Sequence, residues 1–235
     1  MIAAALYDGT VEQEAPEEQY LRSYHRFYGL EEQLYTEELK AGYGGPGQRR
    51  ALLTPYLGDE RTAGFLNRVR LTDVSLKGSQ NILPRAERIA NGHGLDVRVP
   101  LFDRALAEFS MRLPMELKLH GACEKYVLKL AMQQRLPDAV IWRRKFGMSV
   151  PMTDWLLGAK GTPPAQAPLA PLLDELLSES ALRARGLFRP EYVARLRQGR
   201  DAPFETRRRR IGEKLWALCM IEQWLRIFID RRGAP

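Results

Sequence analysis

The sequence predicts a mainly α-helical protein, with at most a short extended piece around residues 95–100. Apolar residues recur every three or four positions through most of the 235 residues, as they do along one face of an amphipathic helix. Hardly any segment alternates apolar and polar residues as a half-buried strand does. Hydrophobic residues make up 45 % of the chain, which is enough for a substantial core.

The first part of the chain predicts helices separated by one glycine-rich loop. Residues 17–41 have the helical spacing, with aromatic residues at steps of three and four. Residues 42–58 contain Gly-Gly-Pro-Gly and predict a loop. No strand flanks these glycines, so a phosphate-binding loop is not the expected structure there. Residues 59–93 carry two further helical patterns.

An extended stretch and two helices are predicted next. In residues 95–100, Pro100 biases its predecessor away from the helical region. The spacing of Leu106, Phe109 and Leu113 predicts a helix that ends at Pro114. Residues 124–135 predict another helix, which ends near Leu-Pro.

The last third predicts a surface loop followed by helices. Residues 158–171 are rich in proline and alanine without periodicity, and are expected to be a loop within a single domain. Residues 172–199 predict two or three short helices, one starting at Arg189-Pro190-Glu191. The final helix is expected over about 207–231, with Lys214 and Glu222 on its solvent side. Its apolar stripe comprises Ile211, Leu215, Leu218, Ile221, Leu225 and Phe228.

Composition excludes some classes of protein and leaves others open. No run approaches the roughly 20 apolar residues of a membrane helix. The acidic start differs from a signal peptide. Cys123 and Cys219 match no metal-ligand spacing and are predicted to be two buried small apolar residues rather than a disulfide, so a reducing cytoplasm is expected. The net charge of +7 is compatible with an anionic partner. A basic run, Arg207 to Arg210, leaves open a nucleic-acid-binding patch, although an exposed helix start is the default interpretation.

One segment carries a recognisable signature. Residues 81–103 read N-I-L-P-R-A-E-R-I-A-N-G-H-G-L-D-V-R-V-P-L-F-D. This string resembles a signature of asparagine synthetases, N-L-L-x-x-x-D-R-M-S-M-A-H-S-L-E-x-R-x-P-F-L-D. Two acidic positions differ from the family in residue type. Glu87 stands where the family has Asp, and Asp96 stands where it has Glu.

The resemblance continues in order along the chain. Residues 113–118 are similar to the family's L-P-x-x-L-K, and residues 125–128 to its K-Y-I-L. Residues 141–151 resemble I-x-x-R-x-K-x-G-F-x-x-P. Residues 185–188 and 215–225 are similar to the closing helices. The matches therefore cover about residues 80–230.

The resemblance implies a fold and also a missing part. The chain is expected to be one partial domain, residues 1–235: the helical C-terminal portion of an ATP-pyrophosphatase-type (adenine nucleotide α-hydrolase-like) α/β synthase domain. The family's S-G-G-x-D-S pyrophosphate loop and its G-x-G-x-D-E-L-F-G-G-Y segment do not occur in the sequence. Residue 2 is Ile, where the glutaminase half would begin with cysteine. The chain is thus expected to start after the ATP pocket ends, as a fragment inactive on its own.

The family's chemistry assigns the candidate catalytic residue. In asparagine synthetases the aspartate β-carboxylate attacks the α-phosphorus of ATP, and ammonia from glutamine then displaces AMP. Lys145 matches the family lysine that stabilises the developing negative charge, and Gly147 lets its loop approach the ligand. ATP and Mg²⁺ are implied by the family, and no motif in this chain binds them. A solvated lysine is the alternative interpretation of Lys145.

Further residues of the signature have candidate roles. Glu87 and Arg88 are candidates for the substrate or nucleotide pocket, or form a simple surface pair. Arg98 is expected to be buried, in a structural network with Asp96 and Asp103, since a buried charge needs partners. No metal ligands are assigned.

Other functions and partners stay open. β-Lactam synthetases and lasso-peptide cyclases share the scaffold and adenylate a carboxylate, but use an internal amine. A non-enzymatic basic helical module that binds RNA or an acidic partner is an alternative of another class. Expected partners are a missing N-terminal synthase or glutaminase portion, or a second copy of the chain, with aspartate and glutamine as substrates. No membrane partner is expected.

Overall fold

The computed structural model describes a mainly helical protein. The part of the chain it describes comprises residues 15–145, 150–159, 161, 163–199 and 208–231. This part divides into two compact units. The first unit contains residues 15–18 and 50–145, and the second contains the remaining described residues. The predicted fold class is confirmed as mainly helical, while the single-domain organisation stays a prediction.

The helices before residue 58 differ from the expected pattern. Their bounds are α1 (Pro16–Tyr24), α2 (Glu31–Leu34), α3 (Glu37–Gly42) and α4 (Gly45–Leu57). The helical segment predicted over 17–41 comprises the three helices α1 to α3. The loop predicted over 42–58 is wrong, because most of it is α4. Its proline at residue 46 lies in the first turn, where the missing N–H has no helical partner, and Leu53 and Leu57, one turn apart, are buried.

The two helical patterns predicted over residues 59–93 are confirmed. Helix α5 (Phe65–Thr72) continues into a π-helix (Asp73–Ile82) and then into α6 (Leu83–Asn91). Gly78 is buried in the π-helix. A Cβ added there would lie 2.9 Å from a ring carbon of Phe102, so only glycine allows this approach.

Helix α6 ends in a glycine turn. The N–H of Leu95 donates to the carbonyl of Ala90 at 3.0 Å, and the N–H of Gly94 donates to the carbonyl of Asn91 at 3.0 Å. These two bonds define a Schellman motif, whose left-handed residue is Gly94 with φ +70°. The chain then runs without regular structure to a 3₁₀ turn, Pro100–Phe102, so the extended piece near 95–100 is not a strand.

The rest of the first unit is helical except for one small hairpin. It contains α7 (Arg104–Arg112), α8 (Met115–Lys118), β1 (Leu119–His120), β2 (Cys123–Glu124), α9 (Tyr126–Met132) and α10 (Asp138–Ile141). Strands β1 and β2 are antiparallel, with Leu119 opposite Glu124. The spacing of apolar residues predicted α7 and α9, whereas two-residue strands are too short to show an alternating pattern.

The second unit has its own hydrophobic core. Its later helices are α11 (Met152–Leu157), α12 (Ala170–Leu176), α13 (Glu179–Arg185), α14 (Pro190–Arg197) and α15 (Arg208–Trp224). A 3₁₀ turn (Pro164–Gln166) precedes α12, and a π-helix (Leu225–Ile229) follows α15. The short helices predicted over 172–199 and the helix start at Pro190 are confirmed. Fully buried core residues are Leu34, Val193, Leu196, Leu215 and Leu218.

Helix α15 is buried differently from its predicted stripe. Lys214 is 0 % exposed and Glu222 is 7 % exposed, so their predicted position on the solvent side is wrong. The Lys214 ammonium lies 5.8 Å from the centre of the Phe27 ring. Conversely, Ile221 and Phe228 of the predicted stripe are exposed. Near the start of α15, the N–H of Gly212 donates to Thr153 Oγ1 at 3.1 Å.

The polar side chains at the end of α15 form a charged network. Arg185 donates to Glu222 at 2.8 Å and to Asp230 at 2.7 Å. Arg226 also donates to Glu222, at 2.8 Å, and to Glu175 at 2.7 Å. The carboxylates raise the pKa of Arg185 above its ordinary value. This network satisfies the buried Glu222 carboxylate, as a buried charge requires.

Candidate functional site

Lys145 lies at the end of the described part of the first unit. Its ammonium donates to the Glu124 carboxylate at 3.0 Å. The Lys145 side chain is 66 % exposed and that of Glu124 is 49 % exposed. An ion pair this exposed contributes little to stability. Lys145 is therefore accessible, and among the described residues its ion pair is with the surface carboxylate of Glu124.

The β1–β2 hairpin positions the partner of Lys145. Glu124 is the last residue of β2, and the next residue, Lys125, adopts the left-handed conformation with φ 58° before α9 begins. On the other strand, the His120 ring stacks on Tyr126 with centroids 4.6 Å apart. Sequence reasoning missed Glu124, since nothing local indicates that a hairpin brings it to Lys145.

A second lysine lies beside this hairpin. The Lys129 ammonium is 3.6 Å from the Cys123 sulfur and 5.5 Å from the centre of the Trp142 ring. Both cysteines are free, Cys219 being buried and Cys123 partly exposed. The prediction of two buried cysteines thus holds for Cys219 and fails for Cys123.

The proposed pocket residues are accessible but not assembled. Glu87 and Arg88 lie on α6 with exposed side chains. Within the described part of the chain, neither forms an ion pair or a side-chain hydrogen bond. The surface pair considered for them is therefore not formed. Gly147 lies outside the described residues.

The predicted structural network is only half present. Arg98 donates to Asp96 at 2.5 Å, yet the Arg98 side chain is 85 % exposed and that of Asp96 is 72 % exposed. The expected burial of Arg98 is thus wrong for this chain. Asp103 does not join the pair, because it is the N-cap of α7 and its Oδ1 accepts the N–H of Leu106 at 3.0 Å. A side chain used as a helix cap is held in position by that bond.

Large apolar side chains surround these candidate residues in sequence and are exposed. Exposed fractions reach 61 % at Ile89, 63 % at Leu95, 69 % at Leu101 and 57 % at Phe109. Exposed apolar residues occurring singly are ordinary, but this many within about twenty residues is typical of a protein-contact surface.

In the described ranges, no three His, Cys, Asp or Glu side chains converge to hold a metal ion. The described helices also include none that is long and apolar enough to cross a membrane.

The mainly helical structure is consistent with a helical piece of a synthase domain. The sequence model of the asparagine synthase family matches residues 5–226. The chain belongs to the asparagine synthase family.

Curated relatives place this match within longer proteins. Over 186 residues the chain is 24 % identical to asparagine synthetase [glutamine-hydrolyzing] 1 of Bacillus subtilis, covering 79 % of this chain and 27 % of the relative. It is 40 % identical over 65 residues to asparagine synthetase [glutamine-hydrolyzing] 3 of the same organism, covering 28 % and 11 %. The asparagine synthetase of Gallus gallus is 35 % identical over 104 residues, covering 39 % and 18 %. No solved structure matches the chain.

Proposed function

We propose that this chain supplies the helical part of an ATP-dependent synthase that amidates the side-chain carboxylate of aspartate, with glutamine as the nitrogen source. The observation that carries the proposal is the family match over residues 5–226. Lys145 is proposed to occupy the family's lysine position, as the resemblance of residues 141–151 implies. The chain spans 27 % of the length of the first Bacillus relative, so the whole reaction is a property of a larger assembly.

Lys145 is the proposed catalytic residue. Amide formation through an acyl-adenylate develops negative charge on phosphoryl and carbonyl oxygens, and a fixed cation lowers that barrier. The exposed Lys145 ammonium can turn from Glu124 to such an oxygen at small cost, because a surface ion pair is weak. Glu124 then has a positioning role, since it holds the ammonium on the hairpin before substrate binds.

The nucleotide and its Mg²⁺ are proposed to be held by a separate portion of the enzyme. The S-G-G-x-D-S string is absent from this sequence, and the described residues hold no metal cluster. ATP bound there would supply the adenylyl group that activates the carboxylate, with pyrophosphate as the leaving group. The proposed contact for that portion is the exposed apolar set in the first unit, Ile89, Leu95, Leu101 and Phe109.

Glu87, Arg88 and Gly147 are proposed to line the substrate or nucleotide pocket once the second portion is present. Arg98 and Asp96 are proposed to become the buried structural pair at the same time. Asp96 is one methylene shorter than the family's Glu, which shortens the reach of that pair. The free chain leaves Glu87, Arg88 and Arg98 exposed, as this assembly requires.

Complementation tests the proposal. Alone, the chain should neither form asparagine nor exchange pyrophosphate into ATP. Mixed with an N-terminal portion of an asparagine synthetase ending in D-E-L-F-G-G-Y, it should restore synthesis. Lys145→Ala should then lower kcat by about 100-fold or more, as loss of one preorganised donor does. Lys145→Arg should fail nearly as badly, because a planar fork does not replace a compact ammonium.

The control is Lys77→Ala, which removes an exposed lysine of the first unit and should leave the restored rate unchanged. Full activity of Lys145→Ala in the restored enzyme would refute the catalytic assignment. Failure of complementation together with salt-sensitive RNA binding that requires Arg207 to Arg210 would favour the binding-module alternative. Of those arginines, Arg207 lies outside the described residues.

A further inference from the structure

A buried amide in the first unit accepts hydrogen bonds from two cations. Asn67, on α5, is 7 % exposed. Its side-chain nitrogen donates to the carbonyls of Ala63 at 3.0 Å and Met111 at 3.4 Å. Its Oδ1 accepts from Lys118 Nζ at 2.7 Å and from Arg70 Nη1 at 3.3 Å. The oxygen of Asn67 therefore brings two positive charges to one point.

The two cations have only neutral acceptors. Arg70 also donates to the carbonyl of Ser110 at 3.3 Å and to Ser110 Oγ at 2.8 Å. Lys118 donates to the carbonyl of Met111 at 3.2 Å. Neither cation forms an ion pair with a carboxylate among the described residues. This differs from the usual rule that partly buried charges are paired with opposite charges.

The surroundings of Lys118 and Arg70 disfavour the charged forms of both side chains. Burial, with a contribution from Arg70, lowers the pKa of Lys118 from 10.5 to about 8. Burial also lowers the pKa of Arg70. Both groups still carry a charge near pH 7, so an unbalanced positive field persists between α5 and α8.

Donor hydrogens remain for a ligand. Arg70 uses both Nη1 hydrogens and one on Nη2, which leaves its Nε–H and a second Nη2 hydrogen. Lys118 uses two of its ammonium hydrogens, which leaves one. These hydrogens have no acceptor among the described residues. Nε–H and Nη2–H of one guanidinium form the fork that binds two oxygens of a carboxylate or phosphate.

We propose that Arg70 and Lys118 form a binding site for a small oxyanion, a carboxylate or a phosphate, with Asn67 as its positioning residue. Arg70 supplies the two-pronged contact and Lys118 the third hydrogen bond. A bound carboxylate balances one of the two positive charges and a doubly charged phosphate balances both. Asn67 keeps the two cations in place through its fixed amide. The site does not depend on the proposed synthase function, because neither Lys145 nor Glu124 takes part in it.

Anion titration of the full chain tests this site. Sodium phosphate and sodium acetate are titrated separately at constant ionic strength, and thermal unfolding and the NMR signal of the Lys118 ammonium group are followed. At least one anion should raise Tm saturably and raise the apparent pKa of Lys118. Arg70→Met and Lys118→Met should each weaken that binding by about tenfold or more, as loss of a charged hydrogen bond does.

Arg104→Met is the matched control, since it removes the same charge from an exposed pair with Glu108 in the same unit. It should bind the anion as the parent does. Saturable binding of phosphate alone would identify a phosphate site, and of acetate alone a carboxylate site. Equal affinities in the parent and all three variants would overturn the proposal. If both site variants unfold, an unchanged Lys118 titration in the parent at saturating anion overturns it equally.

Discussion

The two units bury their apolar residues to very different extents. In the second unit, leucines from several helices pack into one cluster that includes the fully buried Leu196, Leu215 and Leu218. In the first unit, residues of comparable size such as Leu95 and Leu101 are more than 60 % exposed. The second unit contains a core of its own, whereas the first unit leaves several of its large apolar side chains exposed.

This difference changes how the helical periodicity is interpreted. An amphipathic pattern indicates which side of a helix is apolar, but not what covers that side. In the second unit the covering residues are in the same chain. In the first unit, the apolar side is proposed to be covered by the ATP-binding portion of the enzyme. The first Bacillus relative is several times longer than this chain. We therefore expect stability and the proposed activity to depend on different units.

Matched leucine substitutions test this comparison with the largest expected effect. Leu215→Ala should lower the free energy of unfolding by about 2–5 kcal/mol, because it opens a cavity among fully buried side chains. Leu101→Ala should change it by less than about 0.5 kcal/mol, since that side chain is already in water. Urea unfolding followed by tryptophan fluorescence measures both. Equal losses from the two substitutions would show that Leu101 belongs to a packed core in the first unit.

A pair of arginines on α13 sharpens the comparison within the second unit. Arg185→Met should cost about 2 kcal/mol, because it leaves the buried Glu222 carboxylate with fewer partners while Arg185 itself is one-fifth exposed. Arg183→Met removes the same charge from the same helix, where it pairs with exposed Glu179, and should leave the midpoint nearly unchanged. Urea unfolding midpoints measure both effects. A larger loss of stability from Arg183→Met than from Arg185→Met would contradict the buried network.

The pH dependence of stability tests the uncompensated cation of the first unit. The pKa of Lys118 is about 8 in the folded chain and near its ordinary 10.5 when unfolded. Between these values the unfolded chain binds more protons, so the contribution of Lys118 makes the free energy of unfolding rise with pH. Lys118→Met should flatten this rise relative to the parent. Subtracting the free energy of unfolding of the variant from that of the parent should give a value that rises from pH 8 to 10. A value that falls over this range would contradict the depressed pKa of Lys118.

Thiol labelling gives the smallest perturbation. Burial raises the pKa of the Cys219 thiol to about 12, whereas Cys123 is partly exposed on the hairpin. Iodoacetamide should therefore modify one thiol per folded chain at pH 8, and both in urea. Mass spectrometry identifies the site. Cys123→Ser should abolish the labelling of the folded chain, and Cys219→Ser should leave it intact. Rapid modification of Cys219 would mean that the core of the second unit opens readily.

Much of the helical structure could be predicted from local sequence, and the errors have physical causes. Periodic residues predicted α7 and α9, and the proline at residue 190 marked the start of α14. Helix α4 was missed because the glycines before it looked like a continuing loop. Lys214 was misplaced because a charged residue on an apolar helix is usually at the surface, and only tertiary packing buries this one.

The candidate site was less accessible to sequence reasoning. The resemblance identified Lys145, but its partner Glu124 lies 21 residues away across a hairpin that no local pattern predicts. Asp103 was grouped with Arg98 because both are charged and close in sequence. Its side chain instead caps α7, which the position of an aspartate just before a helix could have indicated. Gly147 stays a prediction.

In the glycine turn after α6, the left-handed backbone at Gly94 restricts which residue the signature string can have there. At Gly94 no atom lies within 4 Å of where a Cβ would be, so a larger residue has room there. At Gly212 the same atom would lie 2.4 Å from the backbone nitrogen of Thr153, so room is the constraint. Position 94 disfavours L side chains only because its φ of +70° suits the mirror-image configuration. A D-amino acid introduced by chemical ligation would therefore meet no backbone strain at residue 94.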